Sequence, residues 1–177
     1  MLANAPAGRF AMADRSVHYE AAFEAYLRHR GIPYVAVDEA KKALFANARL
    51  KSFDFVVYNA RGSNLLIDVK GRTCRTGVSR RSFQTWTTQR DVDDLMKWEQ
   101  VFGEGFKALL TFVYWIDAPP LVPEEGMFEF RDRWYLLLGI DLAEYRNHMR
   151  RRSPRWETVC IPADDFRQLA RPIEQWL

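Results

Sequence analysis

The chain has 177 residues, 48% of them hydrophobic and 14% aromatic, with a net charge of +3. These figures give one domain with enough apolar side chains for a real core, and they exclude a disordered or linker-like chain. Two distant cysteines, Cys74 and Cys160, supply neither a zinc spacing nor a disulfide framework, and no run approaches the roughly 18 apolar residues of a membrane span, so a soluble cytoplasmic protein is expected.

In chain order, residues 1–16 read as a flexible arm and residues 17–177 as a single α/β domain. Ser16 is placed to cap a helix over 17–30 that stops at Gly31, a common helix-ending residue. Pro33 then sets up a first strand over 34–37. Residues 39–51, alanine-rich and basic, read equally as a short helix or a long connection. A second strand covers 53–58, and the turn cluster 59–64 returns it as a hairpin into an apolar strand over 65–70. Residues 71–87 lack a period and read as a long loop of the kind that carries function. Thr88 can cap a helix over 89–102, ended by Gly103 and Gly105.

Residues 107–116 form a strongly apolar run, expected as a central strand buried on both faces. Pro119, Pro120 and Pro123 break the chain. Segments 128–130 and 134–140 suggest a hairpin with residues 131–133 at its tip. Asp141 opens a short helix through about residue 151, followed by a strand over 156–161 and a terminal helix begun by Pro162 and Asp164.

Chemistry concentrates in the stretch Leu65 to Arg72, which carries Asp68 and Lys70 on an otherwise apolar strand. Alternation along a strand puts Asp68 and Lys70 on one face, with Ile67 and Val69 on the other. Burying such groups is costly unless they find partners. Asp54, on the preceding strand, can converge on Asp68 around the turn; two close carboxylates repel unless a proton or cation lies between them, and a hard cation such as Mg²⁺ suits oxygen ligands. Lys70 beside such a cation could orient or deprotonate water, or stabilise charge on a phosphate. Glu20 shares a helix stripe with Phe23 and Leu27 and supplies a third acid; Glu24, one turn on, is the competing choice.

Five arginines and no acid lie between Arg72 and Arg90, and five more between Arg146 and Arg155, a pattern suited to a polyanion or simply to a solvated face. Trp86 can stack on a base or cover the sheet. Arg150, Arg151 and Arg152 can contact phosphates or answer a helix dipole. His18, beside Glu20, reads as a structural group at the helix start.

The order of these elements, a helix with Glu20, strands bearing Asp54 and then Asp68-x-Lys70, a helix and a buried strand, resembles the PD-(D/E)xK nuclease superfamily. The segment 19–72 is most similar to its archaeal Holliday-junction-resolvase branch, with Glu20 eleven residues before Gly31. The opening His18-Tyr19-Glu20-Ala21-Ala22-Phe23-Glu24 also resembles the signature of the bacterial HYExAFE family. The resemblance implies a restriction-endonuclease-like α-β-β-β-α-β core, a mixed sheet flanked by helices, extended here by a C-terminal hairpin and helix.

It further implies Mg²⁺- or Mn²⁺-dependent hydrolysis of DNA, with Asp54, Asp68 and Glu20 at the metal and Lys70 positioning the nucleophilic water. Arg72, Arg75, Arg80, Arg81 and Trp86 would hold DNA, branched or single-stranded forms included, and a homodimer fits the branch. Phe53 stands where proline precedes the first acid, and Asp68 where glutamate is commoner. Gln84 and Gln89 both answer to the glutamine found on the following helix in several branches. The rival expectation is a catalytically inactive module of the same fold that binds nucleic acid or a protein.

Overall fold

A computed structural model describes residues 10–37, 44–45, 48–60, 62–74, 83–117 and 123–177, with backbone alone for 10–17, 44–45 and 48–49. Helix α1 (Phe10–His29) begins upstream of Ser16, so that serine lies inside the helix and does not cap it; Gly31, at φ 65°, ends the segment as expected. Strand β1 (Tyr34–Ala36) follows. The ambiguous stretch holds neither a helix nor a plain connection where it is described, but a short antiparallel pair, β2 (Leu44–Phe45) and β3 (Ala48–Arg49).

Strand β4 (Phe55–Val57) pairs antiparallel with β5 (Asn64–Cys74), matching Phe55 with Ile67 and Val57 with Leu65. Strand β5 runs on through Gly71–Cys74, residues expected in a loop, because it pairs in parallel with β7 over its whole length. A short strand β6 (Trp86–Thr88) precedes α2 (Gln89–Phe102). Thr88 caps α2 as its sequence predicts: its hydroxyl accepts from the Asp91 N–H at 3.1 Å, and the Asp91 carboxylate accepts from the Thr88 N–H at 3.3 Å.

Strand β7 (Phe106–Ile116) is the centre of the sheet, between β5 and β9 (Arg133–Asp141), and its residues from Ala108 to Tyr114 are buried. Strand β8 (Met127–Phe130) forms the expected hairpin with β9, with Arg131 and Asp132 at positive φ in its tip. Asp141 caps α3 (Leu142–His148), accepting from the N–H groups of Ala143 and Glu144.

Residues 150–153, expected at a helix end, instead form β10 (Arg150–Ser153), which pairs with β11 (Thr158–Cys160); β11 in turn pairs with β6, making a second, three-stranded sheet. Helix α4 (Ala163–Leu169) and β12 (Arg171–Pro172) close the order β1-β4-β5-β7-β9-β12, with β8 also on β9.

Two apolar clusters sandwich the main sheet. One contains Phe23, Ile67, Val69 and Val113 beneath α1; the other contains Leu66, Val92, Phe112 and Tyr145 beneath α2 and α3. The C-terminal segment is tied across this assembly. The Trp176 indole lies over Gly139, where a Cβ would come within 2.8 Å of it, and its N–H donates to the Gly139 carbonyl at 3.2 Å. The Trp176 carbonyl accepts from Asn59 Nδ2 at 2.9 Å. Among the described residues no helix is long and apolar enough to cross a membrane.

Candidate functional site

The β4–β5 pair brings the two aspartates near each other. Phe55 faces Ile67 at the end of the paired rungs, and Asp54, the residue before β4, donates its N–H to the Ile67 carbonyl at 2.9 Å. Like charges close together are unfavourable, yet both are buried, Asp54 at 7% exposure and Asp68 at 6%. Asp54 Oδ2 accepts from the Val69 N–H at 2.5 Å, which fixes its carboxylate on the β5 backbone.

Alternation along β5 sends Asp68 and Lys70 to the α2 face, where they meet the first turn of that helix. Lys70 Nζ lies 2.6 Å from Asp68 Oδ2 and donates to Asp91 Oδ2 at 3.1 Å. Asp91 is held from every side: Lys51 Nζ donates to Oδ1 at 2.7 Å, and the Thr87 hydroxyl donates to Oδ2 at 2.8 Å. A void of about 10 Å³ borders Asp68, Asp91 and Lys51.

These contacts divide the acids into two kinds. Burial pushes the Asp54 carboxyl well above the usual carboxylate range; the charges of Asp68 and Glu20 add to that rise, while the Val69 N–H and Lys70 oppose it. Burial raises Asp68 as well, with Lys70 opposing and Asp91 assisting. Burial would also raise Asp91, but Lys70, Lys51 and Thr87 outweigh it and hold that carboxyl well below the usual range. Burial works to neutralise Lys70, yet Asp68 and Asp91 more than offset it, so the side chain is a firmly held ammonium. At Asp54 and Asp68 burial outweighs the nearby cations, whereas at Asp91 the cations outweigh burial.

Of the acids expected at the site, Asp54 and Asp68 come together with Lys70. Glu20 is half-buried on α1, which packs on the opposite face of the sheet, and its charge reaches Asp54. Glu24 points elsewhere, accepting from Arg28 at 2.6 Å and from the Tyr34 hydroxyl at 2.7 Å. Neither glutamine joins the cluster: Gln84 Oε1 accepts from the Trp86 indole at 3.3 Å, and Gln89 Nε2 donates to Asp93 at 3.0 Å. His18 lies against Tyr19, with ring planes tilted by 34°, and its Nδ1 is 3.0 Å from the Tyr135 hydroxyl.

Arg72 is partly buried. Its guanidinium lies 4.0 Å from the Trp86 ring centroid and donates to the Trp86 carbonyl, strapping β5 to β6. Arg152 lies over the same indole at 5.2 Å. Arg75, Arg80 and Arg81 fall outside the described residues.

Sequence reasoning missed Asp91 and Lys51. The signal for Asp91 was present as the capping box opened by Thr88, whose acid three residues on reads as a solvated helix position until β5 is laid beside it.

Among the described residues no group of three or more histidine, cysteine, aspartate or glutamate side chains converges on a common point as a metal cage would. The donor set nevertheless fits a hard cation: two buried carboxylates, both raised by burial, with the charge of Asp68 adding to the rise at Asp54.

Comparison with known proteins bears on the fold. Neither protein-family models nor curated proteins match the chain, so the HYExAFE-like opening of α1 finds no support there. Among solved structures, the chain is similar to Hjc of Archaeoglobus fulgidus, a Holliday junction resolvase from an archaeal hyperthermophile. The two share 14% identity, over 90% of this chain and 98% of that one, with a TM-score of 0.55. The mixed α/β sheet flanked by helices is thus a restriction-endonuclease-like fold.

Proposed function

We propose that the protein is a metal-dependent nuclease that hydrolyses DNA phosphodiesters in the manner of the PD-(D/E)xK enzymes. The observation that carries this reading is the buried Asp54–Asp68 pair with Lys70 beside it. The likeness to a Holliday junction resolvase supports the fold, and it adds four-way junctions to the substrates worth testing.

Asp54 and Asp68 would hold a divalent cation, with Glu20 contributing from the α1 side. Such a cation, when bound, lowers the pKa of a coordinated water and neutralises charge on the scissile phosphate. With so few carboxylates, water or phosphate oxygens would fill the remaining positions. Lys70 acts as a fixed positive charge. Held protonated by Asp68 and Asp91, it orients the water and stabilises the phosphate, and it does not take up a proton. Asp91 and Lys51 hold that ammonium in place without touching the reacting atoms.

The test is incubation with supercoiled, linear, single-stranded and four-way-junction DNA in Mg²⁺, Mn²⁺ or EDTA. Cleavage is expected with either metal, and it should disappear in EDTA and in Asp54→Ala, Asp68→Ala and Lys70→Ala. Mg²⁺ or Mn²⁺ should also raise the melting temperature of the wild type and leave Asp54→Ala unmoved; occupancy at a hundred times Kd stabilises by about 2.7 kcal/mol. Activity that survives Asp68→Ala sinks the site assignment. One rival is a module of this fold that binds DNA without cutting it. Salt-sensitive DNA binding, with no cleavage in any metal and no metal-dependent melting shift, would establish that rival.

A further inference from the structure

The second sheet carries a feature that the carboxylate cluster does not use. Strands β10 and β11 form a hairpin whose loop is Pro154-Arg155-Trp156-Glu157, closed by the Glu157 N–H on the Pro154 carbonyl at 3.4 Å. Trp156 is 67% exposed, the most exposed of the large hydrophobic side chains among the described residues. An indole left in water at a loop tip is unfavourable unless something covers it. The Arg155 guanidinium lies 5.2 Å from its ring centroid and gives the platform a positive charge.

The strand behind it is basic and exposed. Arg146, Arg150, Arg151, Arg152 and Arg155 all face solvent, and among the described residues none of them forms an ion pair. The two sides of the hairpin differ. Arg151 lines a cleft of about 480 Å³ shared with Asp93, Asp94 and Glu157, where acids compensate it. Arg152, at a bulge in β10, turns instead towards Trp86, which Arg72 covers from the other side.

The hairpin is also fastened to the carboxylate cluster. The Glu157 carbonyl accepts from the Gln89 N–H at 2.8 Å, and Gln89 belongs to the same helical turn as Asp91, which holds Lys70. Arg72 lies two residues beyond Lys70 on β5. Arg150 and Arg152 on β10 and Arg155 in its loop thus spread positive charge from beside Trp86 to the exposed indole of Trp156.

We propose that the β10–β11 hairpin is a nucleic-acid arm, in which Arg150, Arg152 and Arg155 hold backbone phosphates and Trp156 stacks on an unpaired base. This inference rests on the nuclease reading for its partner but not on catalysis. The occupant is a single-stranded segment of DNA: stacking needs an open base face, which a continuous duplex does not offer, and the arginines match its phosphates.

The experiment measures binding in EDTA, where cleavage plays no part, of the full chain to a fluorescein-labelled single-stranded oligonucleotide and to the same sequence as a blunt duplex. Trp156→Ala is expected to weaken single-strand binding by about 5- to 150-fold, the range that one base–aromatic stack supplies. Trp156→Phe should restore most of the loss, and neither change should matter much for duplex. Replacing Arg150, Arg152 and Arg155 together by alanine should flatten the log–log salt dependence on single strands by about 2, at roughly 0.7 per phosphate contact.

Equal affinity of Trp156→Ala and wild type for single strands overturns the proposal, as does an equal loss on duplex. So does failure of the wild type to bind single strands. A protein that binds through Trp156 yet cuts nothing in Mg²⁺ or Mn²⁺ supports the arm and refutes the nuclease reading. A protein that cuts DNA with Trp156→Ala indistinguishable from wild type in binding does the reverse.

Discussion

Gly71 is where the contact of α1 with β5 is most exposed to test. A Cβ built on it would fall 2.1 Å from Tyr19 Cδ2, 2.4 Å from Cγ and 2.7 Å from Cε2. Carbon atoms rest at about 3.5–4.0 Å, so in Gly71→Ala the ring must retreat by roughly 1.5 Å. It has little room to do so. His18 lies tilted against Tyr19 with centroids 3.9 Å apart, Tyr135 meets it edge-on at 6.3 Å, and its hydroxyl is 3.2 Å from Thr73 Oγ1. Overpacking of this kind costs about 1–3 kcal/mol.

The next residue on α1 is Glu20, so a shift of the helix also moves the third acid away from Asp54. Misplacement by about 1 Å can cost a hundred-fold in rate. Urea unfolding and the single-turnover cleavage rate read the two effects separately. In the paired variant Gly71→Ala with Tyr19→Ala, the two stability losses should fall short of their sum by about 0.5–3 kcal/mol, as for residues in contact. An unchanged urea midpoint in Gly71→Ala, or strict additivity in the pair, would refute the close-packing argument.

Two further perturbations act on the charges. Lys70→Met leaves Asp68 and Asp91 without their shared cation; removing one partner of a buried ion pair costs about 3–5 kcal/mol, and urea unfolding at neutral pH should show a loss of that size. Asp54→Asn should move stability the other way. Because the folded protein holds the Asp54 proton more tightly than the unfolded chain, Asp54 costs stability as pH rises from the ordinary carboxylate value, about 3.9, through its raised folded value. Asp54→Asn should therefore gain on the wild type as pH rises from about 4 towards neutrality, while cleavage is lost. Asp91 has the opposite sign: its stabilisation is present above the ordinary carboxylate range and disappears as pH falls through its lowered value. Thermal melts of wild type and Asp54→Asn across that range check the sign, and parallel curves would contradict it.

Turn and cap chemistry made much of the fold legible. Gly31, the cluster at 59–64, Thr88 and Asp141 each mark an end or a cap where the structure has one, and the apolar run of β7 needs no context to be recognised as central. What stayed hidden depends on neighbours. Gly71 and Arg72 break the apolar pattern, so β5 reads as ending at Lys70; its parallel pairing with β7 carries it to Cys74. Three consecutive arginines have no alternation to announce β10, which exists because β11 and β6 offer it an edge. At the site, Asp54, Asp68 and Lys70 were readable because they lie on or next to neighbouring strands, and alternation along β5 puts Asp68 and Lys70 on one face. Asp91 was not, because helix α2 reaches the lysine only through tertiary packing.

The attachment of Trp176 to Asn59 and Gly139 has a consequence for the order of folding. The hydrogen bond from Asn59 to the Trp176 carbonyl joins residues 117 positions apart. Contacts so distant in sequence form late, since the intervening chain must be closed first. During synthesis at about 5–20 residues per second, that separation corresponds to roughly 6–23 s between the appearance of the two partners. The β4–β5 hairpin therefore waits on the ribosome before the segment that clasps its turn exists. The growing chain spends that interval with an unsealed sheet, which is when chaperones would be expected to engage it.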